Sequence, residues 1–236
     1  MDEDSRSAAE IPSDPRWVFN FEDWSPSEQL WDLCLSLLPP DEVERIRRFR
    51  RPTKDHGFLT GRHNLNAKSS VIGRLMLRKC AAENLGVESS QQQWRRTIEG
   101  KPFLLNTPKS HLTYTSSSDG APRAAYNMNL SHDGKLVAFA AGRDWVLGVD
   151  VMCNAPRDSA PVEEFFSYFE ENFTAYEWGV IRAHKEDLSK LGSFYHHWTL
   201  KESYIKSVGY VIRCKGLPSG VFQKMRPTYA GTESKR

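Results

Sequence analysis

The chain has 236 residues, of which 39% are hydrophobic and 26% are charged, a balance that is ordinary for a globular protein with a substantial core. The formal net charge of +2 is too small to argue for nucleic acid as a partner, although local basic patches remain able to bind anionic ligands. The longest apolar run, LVAFAA at residues 136–141, is far too short to span a membrane.

Composition along the chain also indicates the cellular compartment. Residues 1–15 are polar and acidic and contain no apolar targeting segment, so we predict a disordered N-terminus. The four cysteines show no spacing that suits zinc or a disulfide framework. We therefore expect a cytosolic protein with reduced thiols and no membrane partner.

Cap and breaker residues predict six helices, with Asp41 capping the second, Gly86 ending the third, and Thr174 and Glu177 forming a capping box at the fifth. The predicted helices run from about residue 23 to 38 and over residues 41–51, 66–84, 162–171, 174–184 and 193–208.

The predicted strands lie mainly in the middle of the chain. A turn is expected at residues 100–102, a polar loop over 106–123, and a hairpin over 127–142 that turns around Asp133-Gly134. WVLGVDVM, residues 145–152, alternates with period two and is predicted as a further strand, followed by a linker at 155–161. Interspersed helices and strands that include a hairpin indicate an α+β, or mixed α/β, fold.

Asp150 is the first candidate functional residue. It shares one face of the predicted strand with Gly148 and Met152, between apolar neighbours. A carboxylate in a dry setting requires a cation or hydrogen-bond donors, whereas on an edge strand it simply faces water, and both interpretations are open. Gly148 would allow another element to approach the backbone closely.

The stretch WTLKESYIKSVG, residues 198–209, supplies further candidates. Lys201 falls in the middle of an apolar helical face, where it must extend to solvent or find a counter-charge. Glu202 and Lys206 lie one turn apart, which is typical of a surface ion pair worth roughly 0.3–0.5 kcal/mol. An anionic ligand at the edge of this face would satisfy all three residues at once.

Two carboxylates from different elements, surrounded by cations, are typical of a magnesium–phosphate site. Each cation alone is more often a solvated surface charge. The chain has no Walker loop, GxGxxG, GxSxG or HExxH motif, so the familiar nucleotide loops, serine hydrolases and zinc proteases are disfavoured. The candidate phosphate-binding side chains are Arg74, Arg78, Arg95, Arg96, Lys101, His132 and Lys206.

These motifs together resemble the 4′-phosphopantetheinyl transferase family over roughly residues 45–209. They are AKSSVIGRLMLRK, RTIEGKPFL, NMNLSHDGKLVAFAAG, LGVDVM, FTAYEW and FYHHWTLKESYIKSVG, in the family's order. GVD followed some fifty residues later by WxxKExxxK is the most specific part of the resemblance.

The resemblance implies a fold of two similar subdomains related by a pseudo-twofold axis, with coenzyme A in the cleft between them. The corresponding boundaries are residues 16–144 for the N-terminal subdomain and 145–209 for the C-terminal one, which would be incomplete. Residues 210–236 form a divergent tail, polar and interrupted by proline and glycine.

The resemblance also implies an activity: Mg²⁺-dependent transfer of the phosphopantetheine arm of coenzyme A to a carrier-protein serine, releasing adenosine 3′,5′-bisphosphate. Asp150 and Glu202 match the metal ligands, Glu202 matches the base, and Lys206 acts beside them. The residues that match the family's coenzyme A contacts are Arg74, Arg96, Lys101, Ser131, His132, Lys201 and Lys206.

The implied partners are acyl or peptidyl carrier domains of the fatty acid synthase or aminoadipate-semialdehyde dehydrogenase type, the latter with a link to lysine metabolism, and the protein is expected to be a monomer. Met152 stands where many bacterial relatives have an acid, so water would complete the metal shell. The alternative is an impaired form that only binds coenzyme A or a carrier protein. The basic segment 43–54 either steers acidic carriers or is a solvated helix face.

Overall fold

The computed structural model describes residues 14–52, 58–60, 64–97, 100–108, 112–114, 122–124, 126–154 and 161–208. Almost all of the expected disordered N-terminus, nearly all of the expected linker and the expected tail lie outside these residues. The helices are α1 (Glu28–Ser36), α2 (Pro40–Arg47), α3 (Leu65–Leu85), α4 (Val162–Ser167), α5 (Ala175–Arg182) and α6 (Asp187–Val208). Two short 3₁₀ turns lie at Ser89–Gln91 and Glu170–Asn172.

The strands form one three-stranded antiparallel sheet and three short antiparallel pairs among the described residues. They are β1 (Arg16–Asn20), β2 (Arg50–Pro52), β3 (Phe58–Thr60), β4 (Trp94–Arg96), β5 (Pro102–Leu104), β6 (Leu112–Tyr114), β7 (Pro122–Ala124), β8 (Tyr126–Asp133) and β9 (Leu136–Arg143). The larger sheet has the order β1-β9-β8, and the pairs are β2-β3, β4-β5 and β6-β7. The mixture of helix and sheet confirms the predicted α+β class.

Several predicted boundaries are confirmed by their local chemistry. Helix α3 ends at Gly86, whose φ of 65° is the left-handed conformation that glycine adopts without strain. Thr174 and Glu177 form the predicted capping box of α5. The hairpin β8-β9 turns at Gly134, where φ is 56°.

Other predicted boundaries are wrong. Helix α1 begins at Glu28 with Ser27 as its N-cap, because the Ser27 hydroxyl accepts from the Leu30 amide. Asp41 does not cap α2: the helix begins at Pro40, and Asp41 lies in its first turn. Helix α2 also ends before residues 50–52, which form β2, and strands at 112–114 and 122–124 interrupt the predicted polar loop.

In the second half of the chain, the helix predicted over 162–171 is only α4, which ends at Ser167 before a 3₁₀ turn. Helix α6 begins at Asp187, six residues earlier than predicted. The breaker residue Gly86 therefore predicts the end of α3 correctly, whereas the starts of α1 and α6 lie several residues from their predicted positions.

The strand predicted over residues 145–152 is also wrong, since this segment has no regular secondary structure and belongs to no sheet of the described chain. Side chains on one side of β8 hydrogen-bond to the backbone of this segment, in place of the backbone–backbone hydrogen bonds of a sheet. Asn127 Nδ2 donates to the Trp145 carbonyl (2.9 Å), the Val149 amide donates to Asn129 Oδ1 (2.8 Å), and the Cys153 amide donates to Asp133 Oδ2 (2.7 Å). Because residues two apart on a strand share one side, a single row of polar side chains anchors the whole segment.

The main core lies between α3 and the three-stranded sheet. Gly73 permits the close approach, since a Cβ at this position would lie 2.5 Å from Leu130 Cδ2 of β8. Trp17 of β1 stacks on Phe139 of β9 with ring centroids 5.0 Å apart. The buried residues of this core are Leu77, Cys80, Ala81, Leu85, Val87, Leu104, Tyr126, Met128, Phe139 and Ala141.

The chain divides into two compact units. Among the described residues, the larger unit contains those up to 153 together with 198–208, and the smaller contains 154 and 161–197. The smaller unit is built on an aromatic cluster in which Phe194 contacts Phe166, Phe173 and Trp178. This division follows compactness, and the expected subdomain boundary at 144/145 stays a prediction. None of the described helices has the length and apolar character needed to cross a bilayer.

Candidate functional site

Two polar side chains of the larger unit, those of Ser131 and Lys206, converge on Asp150. Asp150 Oδ1 accepts from the Ser131 hydroxyl at 2.7 Å and from the Lys206 ammonium at 2.5 Å, and Lys206 also donates to Ser131 Oγ at 2.9 Å. The Asp150 side chain is 6% exposed and that of Lys206 is 31% exposed. The carboxylate is therefore buried with a cation and a donor beside it, as one of the two interpretations of Asp150 predicts, and the alternative of a solvated edge-strand aspartate is wrong.

Gly148 explains how the segment that carries Asp150 comes so close to α6. A Cβ at residue 148 would lie 1.9 Å from the Ser203 carbonyl oxygen and 2.7 Å from the Ser207 amide nitrogen. The backbone of this segment therefore packs directly on the backbone of α6, as the sequence predicted for Gly148. This contact sets the depth at which Asp150 meets Lys206.

The second oxygen of Asp150 is the notable exception to this pairing. Asp150 Oδ2 is buried and has no hydrogen-bond partner in the part of the chain that the structure describes. A buried carboxylate oxygen without a donor is costly, so it marks a place where a cation or a donor would be stabilising. Within the described ranges, there is no group of three or more Asp, Glu, His or Cys side chains that could hold a metal ion.

The remaining predicted residues of α6 lie on the same helix. Lys201 and Glu202 are both half-buried, five and four positions before Lys206, and both take part in interactions. Ile205, beside them, is buried. The structure thus places Lys201, Glu202 and Lys206 within two turns of a helix that the Asp150 segment touches.

His132 follows Ser131 on β8 and lies in a positive field. Burial lowers the pKa of His132 below its ordinary value, and the charges of Lys206 and Arg74 lower it further, while Asp133 opposes this. The imidazole is therefore biased toward its neutral form until negative charge arrives. Such a setting suits a group that meets a phosphate.

Arg74 and Arg96 meet around Glu42 in a second part of the larger unit. Arg74 Nε pairs with Glu42 Oε2, Arg74 Nη1 donates to the Ser70 carbonyl at 3.0 Å, and Arg96 Nη2 lies 3.9 Å from Glu42 Oε1. Burial lowers the pKa of Arg96 and of Lys101. The structure thus brings four of the predicted anion-binding residues together in two pairs. Arg74 lies near Arg96, and His132 lies near Lys206.

Sequence reasoning missed Glu42 and the anchors Asn127, Asn129 and Asp133. Glu42 lies in a helix rich in charge, where a carboxylate usually faces water. The only signal for the anchors is a polar residue at every second position of β8, a pattern that an ordinary strand with one polar face also shows.

Comparison with known protein families defines the class. Residues 22–144 match the family model of the 4′-phosphopantetheinyl transferase N-terminal domain, and residues 146–226 match that of the 4′-phosphopantetheinyl transferase superfamily. The chain therefore belongs to the 4′-phosphopantetheinyl transferase family. The second match extends beyond Gly209, where the resemblance in the quoted motifs ends.

Individual relatives narrow the likeness to the animal branch. The chain is 37% identical over 194 residues to the L-aminoadipate-semialdehyde dehydrogenase-phosphopantetheinyl transferase of Xenopus laevis, covering 82% of this chain and 57% of the relative. The corresponding Homo sapiens protein is 34% identical, with 82% and 55% covered. A Bacillus subtilis 4′-phosphopantetheinyl transferase is 25% identical, with 78% and 65% covered. The chain thus spans little more than half the length of these animal relatives.

Proposed function

We propose that this chain transfers the 4′-phosphopantetheine arm of coenzyme A to a serine of an apo acyl or peptidyl carrier domain, releasing adenosine 3′,5′-bisphosphate. The observation that carries the proposal is the buried Asp150 carboxylate, held by Ser131 and Lys206 at the positions that match the family's motifs. Family membership supports the reaction class.

The transfer step requires one new bond and one broken bond. The carrier serine oxygen bonds to the phosphorus next to the pantetheine arm, and the bond from that phosphorus to the bridging oxygen of the diphosphate breaks. The electron pair of the broken bond stays on adenosine 3′,5′-bisphosphate. We assign the serine proton to the Glu202 carboxylate, directly or through water, which places Glu202 as the general base.

Asp150 and Glu202 would hold Mg²⁺. The buried, unpartnered Oδ2 of Asp150 fits this assignment, because magnesium favours one or two carboxylates with phosphate oxygens and water over an all-protein cage. The absence of a larger acidic cluster from the described residues agrees with such a sparse shell. When bound, the ion neutralises charge on the diphosphate.

The cationic side chains would position the substrate. Phosphoryl transfer depends mainly on positioning and on neutralising charge, and this is the work we assign to the lysines, arginines and histidine. Ser131 fixes the relative positions of Asp150 and Lys206 through its two hydrogen bonds. The proposed coenzyme A contacts are Arg74, Arg96, Lys101, Ser131, His132, Lys201 and Lys206.

The proposed partners are carrier domains of the aminoadipate-semialdehyde dehydrogenase or fatty acid synthase type. The names of the animal relatives support the first of these for those proteins. We further propose a monomer that acts in the cytosol, on the basis of the cysteine usage and composition.

The test is a transfer assay with labelled coenzyme A, Mg²⁺ and a purified apo carrier domain, read by mass spectrometry of the carrier. We expect label on the carrier serine and none on a carrier whose serine is replaced by alanine. Loss of the label in E202Q, with unchanged coenzyme A binding, would support the assigned base. Coenzyme A binding without transfer by the unaltered chain would overturn the proposal in favour of a binding protein.

A further inference from the structure

Glu42 lines an arginine-rich cavity in the larger unit. The cavity has a volume of about 150 Å³ and lies between α2, α3 and the β4-β5 hairpin, with Trp94 among its apolar walls. Its lining has five guanidinium groups and two carboxylates, those of Asp41 and Glu42, so positive charge exceeds negative by three. The guanidinium groups are those of Arg45, Arg74, Arg78, Arg95 and Arg96.

Arg78 shows that this positive charge is incompletely satisfied. Its residue is 9% exposed, and its Nη2 donates to the Ser89 carbonyl. Its Nε and Nη1 are buried and have no hydrogen-bond partner among the described residues. Unpaired buried donors of a guanidinium group are expensive, and an anion is the group that would satisfy them.

Glu42 only partly supplies this anion. Its Oε2 pairs with Arg74 Nε, while its Oε1 lies 3.9 Å from Arg96 Nη2, beyond hydrogen-bonding distance. Arg74 and Glu42 are each 17% exposed, so the pair is only weakly screened by water. A carboxylate of the protein thus covers the guanidinium edge that an incoming phosphate would use.

We infer that Glu42 is an internal counter-anion that a phosphate group of the substrate must displace from Arg74 and Arg96, so that Glu42 limits the affinity for nucleotide phosphates. This inference rests on the proposed function, because it takes coenzyme A as the substrate. The contribution of Glu42 is to offset part of the charge of the arginine pair and to order it in the free protein, at the expense of affinity for the ligand.

The experiment compares the unaltered chain with Glu42→Gln by calorimetric titration with coenzyme A, adenosine 3′,5′-bisphosphate, pyrophosphate and adenosine. We expect E42Q to bind the three phosphate compounds about tenfold more tightly, equivalent to roughly 1.4 kcal/mol, and adenosine equally weakly. Equal or weaker phosphate binding by E42Q would overturn the inference, because Glu42 would then be support for the arginines.

Glu44→Gln is the matched control. Glu44 lies on the same helix, carries the same charge and pairs with Arg48 at 2.7 Å, with both side chains largely exposed. We expect its phosphate affinity to stay within about twofold of the unaltered chain, since an exposed ion pair contributes little. A gain in E44Q equal to that in E42Q would mean that net charge alone acts, and would overturn the inference.

Glu42→Asp addresses folding, because it retains the charge if E42Q proves unstable. We expect E42D to stay close to the unaltered chain, whereas a tenfold gain in E42D would indicate cavity volume and contradict a charge effect. Failure of the unaltered chain to bind coenzyme A would overturn the proposed function alone. The inference is then decided by the ratio of pyrophosphate affinities of E42Q and the unaltered chain.

Discussion

Two cation–carboxylate pairs of the larger unit differ in what they leave unpaired. At Lys206 and Asp150, a carboxylate oxygen is buried without a donor, so this group lacks positive charge. At Arg74 and Glu42, the neighbouring Arg78 keeps two buried donors without an acceptor, so that group lacks negative charge. The first would be completed by a metal cation and the second by a phosphate, which are the two ligands of the proposed reaction.

The largest expected effect comes from forcing the segment that carries Asp150 away from α6, which carries Lys206. Gly148→Ala would place a Cβ 1.9 Å from the Ser203 carbonyl oxygen, and neither backbone has a flexible end that can yield. We expect a loss of about 3 kcal/mol or more in the free energy of unfolding, together with loss of transfer. Thermal or denaturant unfolding of the purified variant measures the first of these.

The control for this change is Gly179→Ala in α5, where a Cβ would meet nothing within 4 Å. We expect a gain of about 0.5–1 kcal/mol there, because alanine favours a helix interior over glycine. A Gly148→Ala protein as stable as the unaltered chain would show that the segment does not rest on α6 as described.

The next largest effect acts on the group of Asp150 and Lys206 alone. Asp150→Asn removes the buried charge but keeps the shape, so we expect about a hundredfold slower transfer, the scale of losing one preorganised electrostatic contact. Binding of coenzyme A by the arginine cavity should persist, which calorimetry checks. A transfer rate in D150N within twofold of the unaltered chain would contradict the assignment of Asp150.

The smallest expected effect is a shift in the pKa of His132, which feels the charges of both groups. Lys206 and Arg74 both lower the pKa of His132. Lys206→Met therefore raises this pKa toward its ordinary value, which NMR titration of the imidazole measures. Because a lowered histidine pKa makes the fold lose stability as pH falls through it, the variant should also lose less from this source in acid.

Arg182→Met is the control for this titration, since Arg182 lies in the smaller unit, where it pairs with Glu163 and Glu170. We expect the pKa of His132 to stay unchanged in R182M. A pKa that moves equally in both variants, or falls in K206M, would contradict the positive field described at His132.

The sequence predicted local features, such as helix ends and the burial of single charges, better than the architecture around them. The need of Asp150 for a cation followed from its apolar neighbours, and the end of α3 followed from Gly86, because both depend on local chemistry. The conformation of residues 145–152 did not follow from the local sequence, because the hydrogen bonds of this segment come from side chains of β8 some twenty residues earlier. Period-two alternation does not distinguish such an anchored segment from a strand.

Glu42 illustrates the opposite limit. A glutamate among arginines in α2 looks like a solvated face, and only the packing of α2 against α3 gives it a partner 32 residues away. The family resemblance could supply Arg74 and Arg96 by position, but not the carboxylate between them. Pairings across elements are set by tertiary packing, which no single-sequence pattern encodes.

The most direct test of the account is calorimetric titration of Mg²⁺ into the coenzyme A-loaded chain, for the unaltered protein and for D150N. We expect the unaltered chain to bind one equivalent of Mg²⁺, and D150N to bind none or to bind it at least about tenfold more weakly. Equal Mg²⁺ affinity in the two proteins would contradict the claim that the buried Asp150 carboxylate is completed by a cation.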